Sequence, residues 1–255
     1  MPRRQLFDDM NYEPPPQGGW FDDFYSEGLV VEVLRPIKSG KEASVHLCRA
    51  GRQLGGGLLA AKVFHPRHAR NFKNDAMYKD GRVIVNSRTR RAVARKSSFG
   101  READEFYWVA REWEAIEMLH EAGADVPRPI HQGGKAILME YLGDEEEPAP
   151  QLRDVPLDPT LARSLFDRLM WNVELFLAHN LVHADLSPYN ILYWEGRATI
   201  IDFPQAVDAR TNRNSRDLLG RDVENLCRHF VRQGLRTDPA KTVQDLWNRF
   251  VFAKL

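Results

Sequence analysis

Residues 181–202, L-V-H-A-D-L-S-P-Y-N-I-L-Y-W-E-G-R-A-T-I-I-D, constrain the fold of this chain more than any other stretch. Ile191 to Trp194 and Ala198 to Ile201 are β-prone runs, and Glu195-Gly196 between them supplies a glycine for the positive φ of a tight turn. Pairing Trp194 with Arg197 places Asn190 opposite Ile201 and Asp202 opposite Tyr189. Two polar side chains then share the open end of one hairpin, on strands about 5 Å apart, with Asp185 in the loop just before them. Oxygen donors so placed can share a hard cation, which prefers oxygen ligands at about 2.1 Å. A buried Asp closing an I-I-D strand is costly without such a cation or hydrogen-bond donors. The order His183, Asp185, Asn190, hairpin, Asp202 is the layout of a phosphoryl-transfer site.

The chain has 255 residues, 43% of them hydrophobic, which is enough for a two-lobed core in one catalytic unit. Lys and Arg together number 36, as do Asp and Glu, so no whole-protein field argues for nucleic acid or membrane. Cys48 and Cys227 are too few and too far apart in sequence for a disulfide framework or a metal knuckle, which favours a reducing, cytoplasmic setting. No apolar run approaches the ~20 residues of a membrane span. The start, M-P-R-R-Q-L-F-D-D-M, lacks an apolar signal core, so no membrane association is expected.

Residues 1–19 are polar, carry P-P-P-Q-G-G and suit a flexible lead-in. Leu29 to Ile37 and Ala43 to Cys48 predict an antiparallel pair, and Leu58 to Phe64 a third strand that sets Lys62 among small and apolar residues. A lone ammonium there is expensive to bury without an anionic partner. A helix follows at about Arg101 to Glu121, with a 3.6-period stripe of Phe106, Val109, Trp113, Ile116 and Leu119. V-P-R-P-I reads as an extended link, Ala136 to Leu142 as a strand, and G-D-E-E-E-P-A-P as a surface loop. Asp158 as N-cap and Pro159 at the first helical position open a helix whose Leu161, Leu165, Leu169, Val173 and Phe176 share one face and which ends near His179. Further helical patterns lie near 217–233 and 238–252.

In the protein-kinase template, the loop Asp accepts the substrate hydroxyl proton, and the Asn and second Asp hold Mg²⁺ on the nucleotide phosphates. The order strand, glycine loop, strand, A-x-K resembles the nucleotide lid of that template, although Gly40 stands alone where G-x-G-x-x-G is usual. Glu112, which borders the helical stripe, is a candidate partner for Lys62. Glu105, Glu114 and Glu117 compete with it, and periodicity does not choose among them.

More specifically, the chain resembles the RIO family of atypical protein kinases, in the branch that carries S-x-G-K-E-A-x-V in the lid and no winged helix. The resemblance spans roughly residues 28–230. It rests on S-G-K-E-A-S-V at 39–45, A-K at 61–62, E-W-E-A-I at 112–116, M-E-Y-L with P-A-P at 139–150, and H-A-D-L-S-P-Y-N with I-I-D-F-P-Q at 183–205. Ser187 stands where ordinary protein kinases place Lys, and Asp202-Phe203-Pro204 where they have D-F-G. No A-P-E segment follows.

The resemblance implies an α+β, two-lobed protein-kinase-like fold with an antiparallel-sheet N-lobe and a small helical C-lobe, lacking an activation loop. On it, residues 20–139 form the N-lobe with a basic insert at about 65–101, residues 140–150 the hinge and linker, and residues 151–255 the C-lobe with the catalytic and metal-binding loops. It implies an ATP-dependent serine/threonine kinase using ATP with Mg²⁺ or Mn²⁺. Lys62 would contact the α- and β-phosphates and pair with Glu112, and Ser39, Gly40, Lys41 and the neighbouring lid up to Val45 would cover the nucleotide. Met139 would line the adenine pocket, with the backbones of Glu140 and Leu142 bonding to adenine. Asp185 would be the catalytic carboxylate, Asn190 and Asp202 the metal ligands, and Ser187 would face the phosphates. His183 would brace the loop. Some family members trap phosphate on the metal-binding Asp, which makes Asp202 an acceptor and an ATPase switch an accompanying role.

Two rivals share parts of this pattern. Aminoglycoside-type phosphotransferases also carry H-x-D-x-x-x-x-N and I-D-F, but the G-K-E-A-S-V lid and the short remainder after Asp202 disfavour them. A nucleotide-binding pseudokinase is disfavoured by the intact Lys62, Asp185, Asn190 and Asp202. Finally, residues 82–101 hold Arg82, Arg88, Arg90, Arg91, Arg95, Lys96 and Arg101 without one acidic residue. That run, with Ser97-Ser98, reads as an autophosphorylation segment and as a docking surface for an acidic partner such as RNA or a ribosomal component.

Overall fold

A computed structural model describes residues 19, 21–65 and 97–255, the side chains of 98–105 excepted. The lead-in other than Gly19, and the basic segment up to Lys96, lie outside the described residues. The chain divides into two compact units.

The first unit takes residues up to Phe64 and His65, the part of a long helix up to Glu114, and Arg128–Tyr141. A short helix α1 (Asp22–Ser26) precedes a five-stranded antiparallel sheet made of β1 (Val30–Ser39), β2 (Ala43–Ala50), β3 (Leu58–Phe64), β4 (Pro129–Gly133) and β5 (Ala136–Glu140), in the order β1-β2-β3-β5-β4. The run L-L-A-A-K-V-F shows no polar alternation because both faces of β3 are covered. Leu59, Ala61 and Val63 join Phe24, Val30, Cys48 and Leu138 on one face. On the other, Ala60 and Phe64 meet Trp108 and Val109 of helix α2 (Ser98–Glu121) together with Ile137 and Met139. The V-P-R-P-I link is in part the edge strand β4. Proline is tolerated there because an edge strand needs no N–H at every position. The strand from Ala136 stops at Glu140, whose main-chain N–H and carboxylate both turn to Arg128.

The second unit holds Ala115–Pro127 and Leu142–Leu255. Its longest helix, α3 (Pro159–Ala178), starts as its sequence dictates: the Asp158 carboxylate accepts the N–H groups of Thr160 and Leu161. Leu165, Leu169, Val173 and Phe176 are buried along one stripe. A two-residue strand β6 (Leu181–Val182) leads into a loop, the hairpin β7 (Ile191–Trp194) and β8 (Arg197–Ile200), and β9 (Val207–Asp208), which returns to pair with β6. Trp194 faces Arg197 across a turn in which Glu195 and Gly196 both have positive φ, the geometry of a tight hairpin. Helices α4 (Ser215–Arg232) and α5 (Pro239–Val251) complete the unit. Arg249 of α5 is tied to Glu174 of α3 at 2.6 and 2.7 Å. Cys48 and Cys227 are both free and buried.

Candidate active site

The site residues fall into two sets, one in each unit. In the first, strand alternation puts Lys62 on the face of β3 that α2 covers, with Val45 and Ile137 as its neighbours on the flanking strands. Its Nζ lies 2.7 and 2.9 Å from the two carboxylate oxygens of Glu112. Lys62 is 9% exposed and Glu112 1%, so the two charges compensate each other in a buried setting. Of the four glutamates left open by periodicity, Glu112 meets Lys62. Glu117 is exposed, Glu114 half-buried, and the Glu105 side chain lies outside the described residues.

The lid end of the β1–β2 hairpin carries Ser39, Gly40 and Lys41, all exposed. The Gly40 N–H donates to the Ala43 carbonyl at 2.9 Å, and Ser39 Oγ lies 3.1 Å from Ser44 Oγ. Met139 is buried beside Ala60 and Phe64. The Glu140 N–H donates to Arg128, and the Leu142 carbonyl accepts from Ala149.

In the second unit the hairpin register brings the remaining residues together. Ile201 N–H donates to the Asn190 carbonyl at 3.0 Å, so the chain leaves β8 beside the 3₁₀ turn Pro188–Asn190. The Asn190 amide donates to the main-chain carbonyl of Asp185 at 2.9 Å and to its carboxylate at 3.2 Å. Ser187 is half-buried at the entry to the turn, and its carbonyl accepts Asn190 N–H. Asp202 has φ +74°, a left-handed conformation that Asp tolerates better than most residues. His183, 1% exposed, contacts the Ile201 carbonyl through Nε2 at 3.1 Å and the Asp185 N–H through Nδ1 at 3.3 Å. Its ring rests on Phe203 with centroids 4.6 Å apart. An Nε2–H tautomer satisfies both bonds, so His183 joins the loop before the hairpin to the segment after it.

Burial and the neighbouring Asp202 push the Asp185 carboxyl up to about 6, against the pull of Asn190 and Arg221. The donor set is therefore an excess of negative charge on hard oxygen atoms. The Asn190 amide nitrogen is committed to Asp185, which leaves its Oδ1 as the amide's ligating atom. Among the described residues no group of three or more His, Cys, Asp and Glu forms a cage. Two protein oxygens with one compensating charge fit Mg²⁺, which usually takes one or two carboxylates and completes its shell with water and phosphates.

Sequence reasoning missed Asp222. It lies on α4 among buried Leu218, Leu219, Val223 and Leu226, and its carboxylate accepts the main-chain N–H groups of Ala184 at 2.7 Å and Leu186 at 2.8 Å. These are the two neighbours of Asp185 in the chain. Burial pushes the Asp222 carboxyl up to about 8, with the two N–H donors opposing. A carboxylate in the middle of an apolar helical stripe was the available signal. Arg221 beside it donates to the Ala184 carbonyl at 3.4 Å.

The RIO domain family model matches residues 51–243. The RIO-type serine/threonine-protein kinase Rio1 of Thermoplasma acidophilum is 34% identical over 134 residues, 52% of this chain and 69% of that protein. Serine/threonine-protein kinase rio1 of Schizosaccharomyces pombe is 30% identical over 213 residues, 81% of this chain but 40% of the relative. Among solved structures, the Rio2 kinase-ADP/Mg²⁺-phosphoaspartate complex from Chaetomium thermophilum superposes with a TM-score of 0.67 at 24% identity, covering 89% of this chain and 64% of that one. The likeness establishes a two-lobed kinase-like α+β fold. With its family model spanning most of the sequence, the chain belongs to the RIO family of serine/threonine-protein kinases.

Proposed function

We propose that this chain moves the γ-phosphoryl group of ATP to serine or threonine hydroxyls, and to its own Asp202, by the roles that follow. The observation that carries the reading is the convergence of Asp185, Asn190 and Asp202 at one end of the β7–β8 hairpin, in a protein whose lysine Lys62 is buried on Glu112. Lys62 contacts the α- and β-phosphates, held in direction by Glu112. Ser39, Gly40, Lys41 and Val45 cover the nucleotide, Met139 lines the adenine side, and the main chains of Glu140 and Leu142 meet the adenine edge. Asn190 and Asp202 hold Mg²⁺, with Mn²⁺ as a substitute, and Ser187 faces the phosphates. The cation supplies charge neutralisation on the phosphate oxygens. Asp185 accepts the proton of the attacking hydroxyl.

The Chaetomium relative is described as an ADP/Mg²⁺ complex with a phosphoaspartate. For this chain the corresponding step is attack of an Asp202 carboxylate oxygen on the γ-phosphorus, with the bond to ADP breaking. Hydrolysis of the acyl phosphate then completes an ATPase cycle that can act as a switch. Ser97, exposed immediately before α2, and the adjoining Ser98 are the autophosphorylation candidates, and the basic run 82–101 is the docking segment for an acidic partner, RNA or a ribosomal component. No helix among the described residues is long and apolar enough to cross a membrane, and a cytoplasmic setting suits the reading.

Turnover of ATP by the purified chain with a protein acceptor, with an aminoglycoside, or with none tests the assignment. Transfer to protein, with part of the label released by hydroxylamine and part stable, is the expected result. Near-native turnover by Asp185→Asn in metal-saturated buffer sinks the kinase roles, and wholly hydroxylamine-stable label removes the Asp202 acceptor.

A further inference from the structure

The segment between α2 and β4 carries Asp125, whose polar groups are all engaged within the second unit. Arg168 grips its carboxylate with a two-pronged fork at 2.6 and 2.9 Å. Asn172, fully buried, donates its amide to the same carboxylate at 2.7 Å and accepts the Asp125 main-chain N–H at 2.8 Å. It also donates to the Arg168 carbonyl at 3.0 Å. The Arg168 guanidinium in turn lies 4.0 Å from the centre of the Trp171 ring. Burial works against ionisation of Asp125, but the bonds from Arg168 and Asn172 and the nearby Arg197 outweigh it and hold the carboxyl below its ordinary value.

What this clamp holds is a main-chain carbonyl. The Asp125 oxygen accepts the N–H of Ile200, the last residue of β8, at 2.8 Å. Ile200 is fully buried and its N–H is directed away from β7, so without the Asp125 carbonyl that donor would be orphaned. Two residues on, the chain turns into the left-handed conformation of Asp202. The approach to Asp202 thus hangs on three bonds: Ile200 to Asp125, Ile201 N–H to Asn190, and the Ile201 carbonyl to His183. Two of them come from the catalytic loop itself, and the third comes from outside it.

We propose that Asp125, clamped by Arg168 and Asn172, is a positioning residue for the cation-binding carboxylate of Asp202, acting through the Ile200 main chain. This rests on the reading of Asp202 as a metal ligand. The clamp sets where β8 ends, and so where the Asp202 carboxylate points. Its loss leaves nucleotide contacts in the first unit untouched and loosens the cation.

The test is direct Mn²⁺ binding to the full chain with saturating ADP, followed by electron paramagnetic resonance of the free ion, alongside metal-free ADP affinity and circular dichroism. Asp125→Ala is expected to weaken Mn²⁺ about 10-fold, the lower end of what residues supporting a metal ligand contribute, with metal-free ADP affinity unchanged. Arg168→Leu, on an exposed side chain, shifts it in the same direction by less and decides the matter if Asp125→Ala fails to fold. Asp125→Asn, which keeps an oxygen acceptor, recovers part of the loss. Folded variants that melt earlier yet hold Mn²⁺ as tightly as the unmodified protein show a purely structural clamp and overturn the proposal. Asp202→Asn separates the two layers: if it binds Mn²⁺ normally, the ligand assignment falls and takes the proposal with it. If it abolishes binding while the clamp variants do nothing, the proposal alone falls.

Discussion

The side-chain amide of Asn190 donates to both the main-chain carbonyl and the carboxylate of Asp185, at 2.9 and 3.2 Å. On the roles proposed above, one residue therefore fixes the catalytic carboxylate and keeps its own remaining oxygen for the cation. Asn190→Ala removes both functions, and ATP turnover should fall by about 10²-fold or more, the scale of general-base and electrostatic terms. Raising Mg²⁺ should restore little of it, because Asp185 is also loosened. A Mg²⁺ titration of turnover checks this: full recovery at high Mg²⁺ would reduce Asn190 to a ligand alone.

The Lys62–Glu112 pair should split by variant. Lys62→Met removes the proposed phosphate contact and should lower turnover by about 10²-fold. Glu112→Gln leaves a buried ammonium without its counter-charge. It should cost about 3 kcal/mol of stability, read as a drop of several degrees in Tm. A Glu112→Gln protein as stable as the parent would mean that Lys62 is compensated elsewhere.

The two raised carboxyls give stability a definite pH slope in metal-free protein. Asp185 at about 6 and Asp222 at about 8 bind protons in the folded chain that the unfolded chain has already released above about 4. Their stabilising effect is present below pH 4 and is lost as pH rises through those folded values. Tm in EDTA should therefore decline between pH 4 and 8, and Asp185→Asn should flatten the lower part of the decline. Activity should run the opposite way on the proposed role of Asp185, which must be ionised to accept a proton: kcat/KM should climb through a limb at or below about pH 6.

Asp222 should behave as a brace. Asp222→Asn retains one acceptor oxygen but points an amide at a main-chain N–H, so one of Ala184 and Leu186 loses its partner. Turnover should fall by about 10-fold or more, with metal-free ADP affinity little changed. Equal losses in nucleotide binding and turnover would point to general unfolding instead.

For the basic run, neutralising Arg88, Arg90, Arg91 and Arg95 should flatten the salt dependence of binding to a polyanion such as RNA, as fewer counterions are released. Basal ATP turnover should stay close to that of the unmodified chain. Unchanged affinity and slope would dismiss the docking segment.

What was legible in the sequence follows the range of the forces involved. The register of the β7–β8 hairpin, Trp194 against Arg197, could be placed to the residue because a positive-φ turn acts locally, although β8 begins and ends one residue before its β-prone run, and α3 could be placed because Asp158-Pro159 caps it. The strands β6 and β9 have two residues each and owe their existence to one another, so no local pattern announces them. Glu112 could be chosen from four glutamates only on family resemblance, since the choice depends on which α2 face meets β3. Asp125, between α2 and β4, and Asp222, within α4, were not singled out from the sequence. Both act through main-chain groups distant in sequence, which carry no side-chain signature.

The pairing of Leu181 with Asp208 and Val182 with Val207, extended by the Ala209 N–H to the Asn180 carbonyl at 2.8 Å, closes residues 183–206 into a loop drawn tight at its neck. Asp185, Asn190 and Asp202 all lie inside that noose. Amide protons across the segment should consequently exchange with solvent in one correlated opening. When the neck slips, the proposed catalytic base and cation ligands are lost together, so activity should pass from competent to inert in a single step.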